Sequence, residues 1–359
     1  MNRMEIGMKK IIFTTGGTGG HIYPALSIAK KIRENNDNNT EILFIGTEHR
    51  MEKDLVPAEG FRFIGLDVIP LKTPISVVKM LFAINKAVKI LKEEKPTEVI
   101  GFGNYITLPV LIAAIILKIP YYLQEQNCTM GMANKYFYKK AKKVFIAFEN
   151  TLNSINEKYK NKFVVTGNPL RKEFFMKEKR NERDLLGIKE DEKVIMIIGG
   201  SLGAKNINEV LIKKWNEIIK DEKIKVFWAT GKNNYTDTIA KIRKKGNNVI
   251  EPYFDNAADI MSASDIVICR AGASTISELI QLEKPAILIP YDYVGQKENA
   301  DVLEYVNAAK IYSNEEVEEA INEALTLLNQ KDMLEFMKNN IRSLNKGNAS
   351  DIIIKEMRI

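Results

Sequence analysis

At 359 residues the chain is too long for one typical domain, and its 45% hydrophobic and 28% charged side chains describe an ordinary globular protein with material for two cores. A net charge of +7 is a mild excess that aids solubility and favours an anionic partner, nucleic acid or membrane, without choosing between them. The two cysteines, Cys128 and Cys269, lie far apart, which excludes a disulfide framework or a Cys/His metal cluster and suits a reducing cytosol.

The chain opens MNRMEIGMKKIIF, which runs straight into a strand-like stretch without the apolar core and cleavage site of a signal peptide. Next comes Thr14 to Pro24, TTGGTGGHIYP. Strand, Gly-rich turn and helix in that order leave backbone N–H groups and a positive dipole end pointing at one spot. Glycines let an anion approach that backbone. The dinucleotide fingerprint fails, because Gly17-x-Gly19 is followed by Ile22 where a third glycine is required. The P-loop fails too, since no Gly-Lys-Ser/Thr follows. A tight turn without ligand and an anion cradle both remain open. His21, at the helix start, favours the cradle: a helix N-terminus disfavours imidazolium and keeps the ring able to accept a proton. The other histidine, His49, lies in a polar stretch and reads as a surface residue.

Six apolar runs in the first half read as buried parallel strands: KKIIFTT, EILFIGT, EVIGFG, PYYLQEQ, KVFIAF and FVVTG. Helices are expected between them, notably Pro24 to Asn35 and Pro74 to Glu94. On a wheel of the second helix, Val77, Leu81, Ile84, Val88 and Leu91 share a face that looks like core. The opposite side carries Lys72, Lys79, Lys86 and Lys89, with Ile75, Val78 and Phe82 among them. Two readings stand: an interface with anionic lipid, or a helix buried on two sides with a basic edge. Ile106 to Leu117 is the most apolar segment, too short to span a bilayer, and reads as a buried helix behind Pro109. Lys139 to Lys143, KKAKK, adds positive charge without any nucleic-acid-binding motif, so nucleic acid is not expected as a partner.

Around Gly167 the chain turns polar and charged, as a connector does. GNPLR closes a strand there and projects Arg171, either a phosphate partner or a plain surface arginine. Then the alternation restarts with KVIMIIGG, KVFWATG, NNVIEPYF, DIVICRAG and PAILIPYD as strands. VIMIIGGSLGAKNINE repeats the design of IIFTTGGTGGHIYPAL. Two βα-alternating halves predict an α/β protein of two Rossmann-like parallel-sheet domains with a cleft between them, ligands sitting at the carboxyl ends of strands. In the second Gly-rich turn Ser201 is either an anion contact or a helix cap. In CRAGASTISE, Glu278 suits a ribose diol, or forms a capping box with Thr275. Gln296 and Asn299, in YDYVGQKENA, are amides suited to sugar hydroxyls or simply polar loop residues. No Asp-x-Asp pair occurs, so a diphosphate would be held by helix ends and Arg171, and neither a cofactor nor an active-site metal is expected.

GGTGGH, EQN, GNPLR, GGSLGA, GASTISE and Q-x-x-NA, in this order, resemble the MurG family of bacterial cell-wall glycosyltransferases. The resemblance runs from about Lys10 past Ala300. It implies a GT-B architecture and transfer of N-acetylglucosamine from UDP-N-acetylglucosamine to lipid I, the undecaprenyl-diphosphate-linked muramyl pentapeptide, giving lipid II. It further implies an acceptor-binding, membrane-associating domain over 1–168, a UDP-sugar domain over 169–344, and a C-terminal helix within 345–359 packing back on the first. Such a protein is peripheral on the cytoplasmic face of the cell membrane. By resemblance, Thr18, Gly19 and Gly20 contact the donor. Asn127, Arg171 and Ser201 help hold the sugar and diphosphate. Phe254 lies by the uracil, Ala273, Ser274, Thr275 and Glu278 wrap the nucleotide, and Gln296 and Asn299 bind the sugar. Departures from the family pattern are Asn104 in GFGNY for a glycine, Gln124 for a histidine before EQN, and Thr107 for a serine. The expected reaction is an inverting, metal-independent displacement with His21 as first choice for general base and Glu125 as second. The rivals are another UDP-sugar enzyme, such as a different lipid glycosyltransferase or a 2-epimerase, and a non-catalytic binding subunit.

Overall fold

The computed structural model describes residues 9–35, 40–200, 203–243, 246, 248–292 and 295–359. The chain divides into two compact units, residues 1–171 with 346–359, and residues 172–345.

Unit 1 holds seven strands: β1 (Lys9–Thr14), β2 (Thr40–Thr47), β3 (Arg62–Leu66), β4 (Glu98–Gly101), β5 (Tyr121–Glu125), β6 (Val144–Ile146) and β7 (Phe163–Val165). They form one sheet in the order β3-β2-β1-β4-β5-β6-β7, every pairing parallel. Its helices are α1 (Gly19–Glu34), α2 (Glu52–Ala58), α3 (Pro74–Glu94), α4 (Leu108–Ile116) and α5 (Met132–Phe137). Parallel strands need crossovers, which place helices on both faces and explain the near-continuous apolar runs. One face of the sheet buries Ile12, Leu43, Val99 and Leu123 under α3 and α4. The other buries Ile11, Phe13, Phe44 and Ile100 with α1 and with Ile353, Ile354 and Met357 from the C-terminal segment.

Unit 2 repeats the plan, with β8 (Lys193–Ile198), β9 (Ile224–Ala229), β10 (Val249–Glu251), β11 (Ile266–Cys269), β12 (Ala286–Leu288) and β13 (Ala309–Ile311) in the order β10-β9-β8-β11-β12-β13, again all parallel. Its helices are α6 (Lys179–Leu185), α7 (Lys205–Ile218), α8 (Tyr235–Lys241), α9 (Ala257–Ala263), α10 (Ala273–Gln281), α11 (Gln296–Tyr305), α12 (Val317–Leu327) and α13 (Lys331–Arg342). The last helix, α14 (Ala349–Met357), belongs to unit 1 and packs on α1.

Strands β3 and β13 escape the sequence reading. Both are short edge strands with an outward charged residue, Arg62 and Lys310, so neither shows a long apolar run. Helix α1 begins five residues before the expected Pro24. Pro24 is the sixth residue of α1, where it leaves one first-turn carbonyl without its usual donor but does not end the helix, so His21 falls inside the first turn.

Helix α3 spans the predicted residues, capped by Thr73 through a reciprocal bond with Ser76. Its buried face overlaps the predicted one only in part. Ser76, Met80, Ala83, Ala87, Ile90 and Leu91 face inward, with Ile84 and Val88 half-buried beside them. Val77 and Leu81, expected in the core, are 52% and 59% exposed. Small residues at Ala83 and Ala87 let α3 approach α4 closely, and this rotates the larger side chains outward.

Candidate active site

In a doubly wound sheet the functional crevice opens where the strand order reverses. In unit 1 that point lies between β1 and β4. The carboxyl ends of β1, β4 and β5 there lead into the Gly16–Gly20 turn, the Phe102–Thr107 loop and the Gln126–Gly131 loop. His21 stands at their meeting point. Its Nδ1 lies 2.9 Å from the Phe102 carbonyl oxygen and 2.8 Å from Gln126 Oε1. Both are acceptors, so Nδ1 carries a proton, and in the neutral ring the lone pair is on Nε2. Gln126 is itself buried and donates through Nε2 to the same Phe102 carbonyl at 3.0 Å. It also donates to Gln124 Oε1. Gln124 donates onward to Asn168 of the GNPLR segment at 3.1 Å, and Asn168 donates to the Gln126 carbonyl at 3.1 Å. Gln124 thus links the EQN and GNP motifs.

Glu125 is differently placed. Its buried carboxylate accepts from Asn127 N at 3.0 Å, Asn127 Nδ2 at 3.4 Å, Gly131 N at 2.8 Å and Asn134 Nδ2 at 2.9 Å. Four donors occupy its lone pairs, so it anchors the 126–131 loop and is poorly placed to take a proton. Asn127 is half-buried and serves that same anchor. Arg171 is half-buried with its guanidinium 5.5 Å from the Tyr23 ring, which keeps it beside the start of α1.

The turn itself separates into two parts. Gly16 and Gly17 answer to packing: a Cβ on Gly16 would meet Glu52 Oε1 at 2.1 Å, and one on Gly17 would lie 3.1 Å from Asn104 Nδ2. The Gly17 N–H donates to Glu52 Oε2 at 3.0 Å and so is closed to a ligand. Gly20 opens onto empty space apart from the Thr18 hydroxyl. The N–H groups of Gly19 and Gly20, first in α1, have no partner among the described residues, and Thr18 supplies no side-chain cap. They are the part able to receive an anion.

In unit 2 the order reverses between β8 and β11. Ser201 lies outside the described residues. Helix α10 begins at Ala273 behind Gly272, with no side-chain cap. Thr275 sits inside the first turn, so the alternative of a Thr275–Glu278 capping box falls. Ser274, Thr275 and Glu278 are half-buried around that helix start, and Ala273 is buried. Gln296 opens α11, its Oε1 accepting from Tyr291 N at 3.1 Å.

Burial bears on two of the expected contacts. Asn299 is wholly buried and donates to the Ala271 carbonyl at 3.2 Å, so it shapes the turn before α10 and does not face a sugar. The Phe254 ring is 5% exposed and packs edge-on against Phe227 at 6.3 Å, so only its backbone could meet a base.

On α3, Ile75 and Phe82 are 67% and 70% exposed and Val78 is also outward, as is Leu71 just before the helix. Lys72 and Lys89 are exposed beside them. Lys79 and Lys86 turn back onto the protein, to Asp67 at 2.8 Å and the Gly65 carbonyl at 3.0 Å. Within KKAKK, Lys142 pairs with Glu98 at 3.1 Å and Lys143 with Glu356. No helix among the described residues is long and apolar enough to cross a membrane. His49 is exposed and pairs with Asp67 at 2.7 Å.

Sequence reading missed Gln126, Glu52 and Asn134. Gln126 was within reach, since it lies inside the EQN motif. Glu52 lies in a polar stretch and gives no local sign of burial.

Residues 11–146 match the glycosyltransferase family 28 N-terminal domain, and residues 194–354 match the family 28 C-terminal domain. Fold and site therefore define a two-domain glycosyltransferase of α/β class with GT-B architecture. A Fusobacterium nucleatum protein described as "UDP-N-acetylglucosamine--N-acetylmuramyl-(pentapeptide) pyrophosphoryl-undecaprenol N-acetylglucosamine transferase" is 48% identical over 98% of each chain. One of the same description from Caldanaerobacter subterraneus is 37% identical, covering 95% of this chain and 97% of its own. The crystal structure of Acinetobacter baumannii MurG superposes with a TM-score of 0.79 at 27% identity, covering 98% of this chain and 99% of that one. The chain belongs to this family of N-acetylglucosamine transferases, the MurG family.

Proposed function

We propose that the protein transfers N-acetylglucosamine from UDP-N-acetylglucosamine to the C4 hydroxyl of the muramyl sugar of lipid I, with inversion at the anomeric carbon, to give lipid II for peptidoglycan. The observation that carries the chemistry is the tautomer imposed on His21, with Nδ1–H held by two acceptors and Nε2 left basic. In this reading Nε2 takes the proton from the C4 hydroxyl as its oxygen attacks the donor's anomeric carbon and the bond to UDP breaks. A positioned base contributes ~10²–10⁴-fold. The bond breaks toward a diphosphate, whose added charge falls to the N–H groups of Gly19 and Gly20 and to Arg171. Thr18 lines the same turn. Ser201, Ser274 and Thr275 serve the nucleotide, Glu278 accepts from its ribose, and Gln296 and Asn127 contact the sugar. No step requires a metal.

The exposed apolar residues of α3, with Lys72 and Lys89, support docking on an anionic membrane surface. The protein then works as a peripheral enzyme on the cytoplasmic face, where the lipid-linked acceptor presents its sugar.

The test is purified protein with labelled UDP-N-acetylglucosamine, a short-chain lipid I analogue and EDTA. A β-linked disaccharide product is expected. Tight donor binding without transfer would overturn the acceptor assignment, and transfer only with added divalent metal would overturn the metal-free mechanism.

A further inference from the structure

Glu52 is wholly buried, yet it lies in the connection after β2, outside every motif tied to the reaction. Its Oε1 accepts from Thr47 N at 3.1 Å, and its Oε2 accepts from Gly17 N at 3.0 Å. A negative side chain thus fills the inner half of a turn whose outer half faces a diphosphate in the transferase reading. Asn104 reaches the same turn from the opposite side. Its Nδ2 donates to the Gly16 carbonyl, and its Oδ1 accepts from Ile106 N at 2.8 Å. Asn104 does this at φ 57°, ψ 177°, a backbone region that suits glycine and costs another residue on the order of 1–3 kcal/mol. The side-chain bonds hold the residue there. The same loop supplies the Phe102 carbonyl that fixes the His21 tautomer.

We propose that Glu52 and Asn104 are positioning residues that clamp the Gly16–Gly20 turn from two sides. Glu52 closes the Gly17 N–H to an incoming phosphate and leaves the Gly19 and Gly20 amides as its anion site. Asn104 couples that turn to the loop that orients His21, so the anion site and the base keep one spacing. Neither residue touches the reacting atoms. The inference rests on the transferase reading only for what the turn holds; the clamp itself is a statement about the protein without ligand.

The experiment uses the full-length protein and the variants Glu52→Gln and Asn104→Gly. Hydrogen–deuterium exchange is followed across residues 14–22 without substrate, alongside UDP affinity and kcat. Faster exchange in that segment is expected in both variants, with kcat lower by roughly tenfold or more, the scale of a small misplacement, and UDP affinity falling clearly less than kcat. Asn104→Gly relieves the strained backbone and is expected to fold, so it decides the matter if Glu52→Gln does not. Unchanged exchange across 14–22 overturns the clamp. Loss of UDP affinity in step with kcat also overturns it, because a general loss of structure explains that pattern. If the parent protein makes no disaccharide, the transferase reading fails by itself, and the exchange measurement still decides the clamp.

Discussion

The two units share one parallel-sheet plan but build their switch points from different parts. In unit 1 the polar groups around the turn satisfy one another: His21 with Phe102 and Gln126, Gln124 with Asn168, Glu125 with Asn134, Glu52 with Gly17. Only the outer amides of the turn stay open. In unit 2 the start of α10 carries no side-chain cap, and Ser274, Thr275 and Glu278 stand half-buried around it. A base must be oriented before substrate arrives, because reorientation during the reaction adds to the barrier. The nucleotide grip proposed for unit 2 uses a helix start instead, whose N–H groups and dipole favour a phosphate.

Variants can break this division of labour. The largest effect is expected from His21→Ala, with kcat down ~10²–10⁴-fold while UDP affinity, measured by calorimetry, stays near the parent value. Near-normal turnover would remove the base assignment. Glu278→Ala should act the other way. Loss of a charge-assisted hydrogen bond worth ~1.5–3 kcal/mol raises the donor KM roughly 10–100-fold, with kcat at saturating donor largely kept. Steady-state kinetics at saturating acceptor separates the two patterns.

A third variant sharpens the comparison by touching neither switch point. Ile75→Asp combined with Phe82→Asp removes two exposed apolar side chains from α3. If each contributes ~1.5–3 kcal/mol to lipid contact when fully buried, vesicle binding should fall at least tenfold in a sedimentation assay. Transfer to a short-chain, water-soluble acceptor should fall far less than transfer to full-length acceptor in vesicles.

The smallest effect concerns stability. Lys10 and Arg62 hold the Glu94 carboxyl below its ordinary value, and the same two cations depress Glu41, Lys10 contributing most to each. Depressed folded-state values mean that this contribution is present above the ordinary carboxylate pKa of 4.5 and is lost as pH falls through the folded-state values. These groups lie near the surface, so the loss should amount to a few °C in Tm at most. Thermal unfolding between pH 7 and pH 3 should show a shallower acid decline for Glu41→Gln with Glu94→Gln than for the parent.

The amino-acid order alone determined a great deal. Apolar runs bounded by Gly-rich turns specify parallel strands and their crossovers, because a strand buried on both faces has little else it can be. His21 and the Gly-rich turn were legible for the same local reason: strand, glycines and helix start are consecutive, so their geometry is nearly set by the chain. The tertiary structure decided what depends on distant neighbours. Val77 and Leu81 look like core on a wheel, yet Ala83 and Ala87 win the contact because close helix approach rewards small side chains. Glu125 looks like a second candidate base and Asn299 like a sugar contact, yet nearby loops occupy their polar atoms. Glu52 looks like a surface charge, yet the fold sets it beneath Gly17, 35 positions earlier in the chain. Periodicity records which residues share a face. Which face meets a partner, and which buried donor a side chain finds there, is settled only when the elements pack.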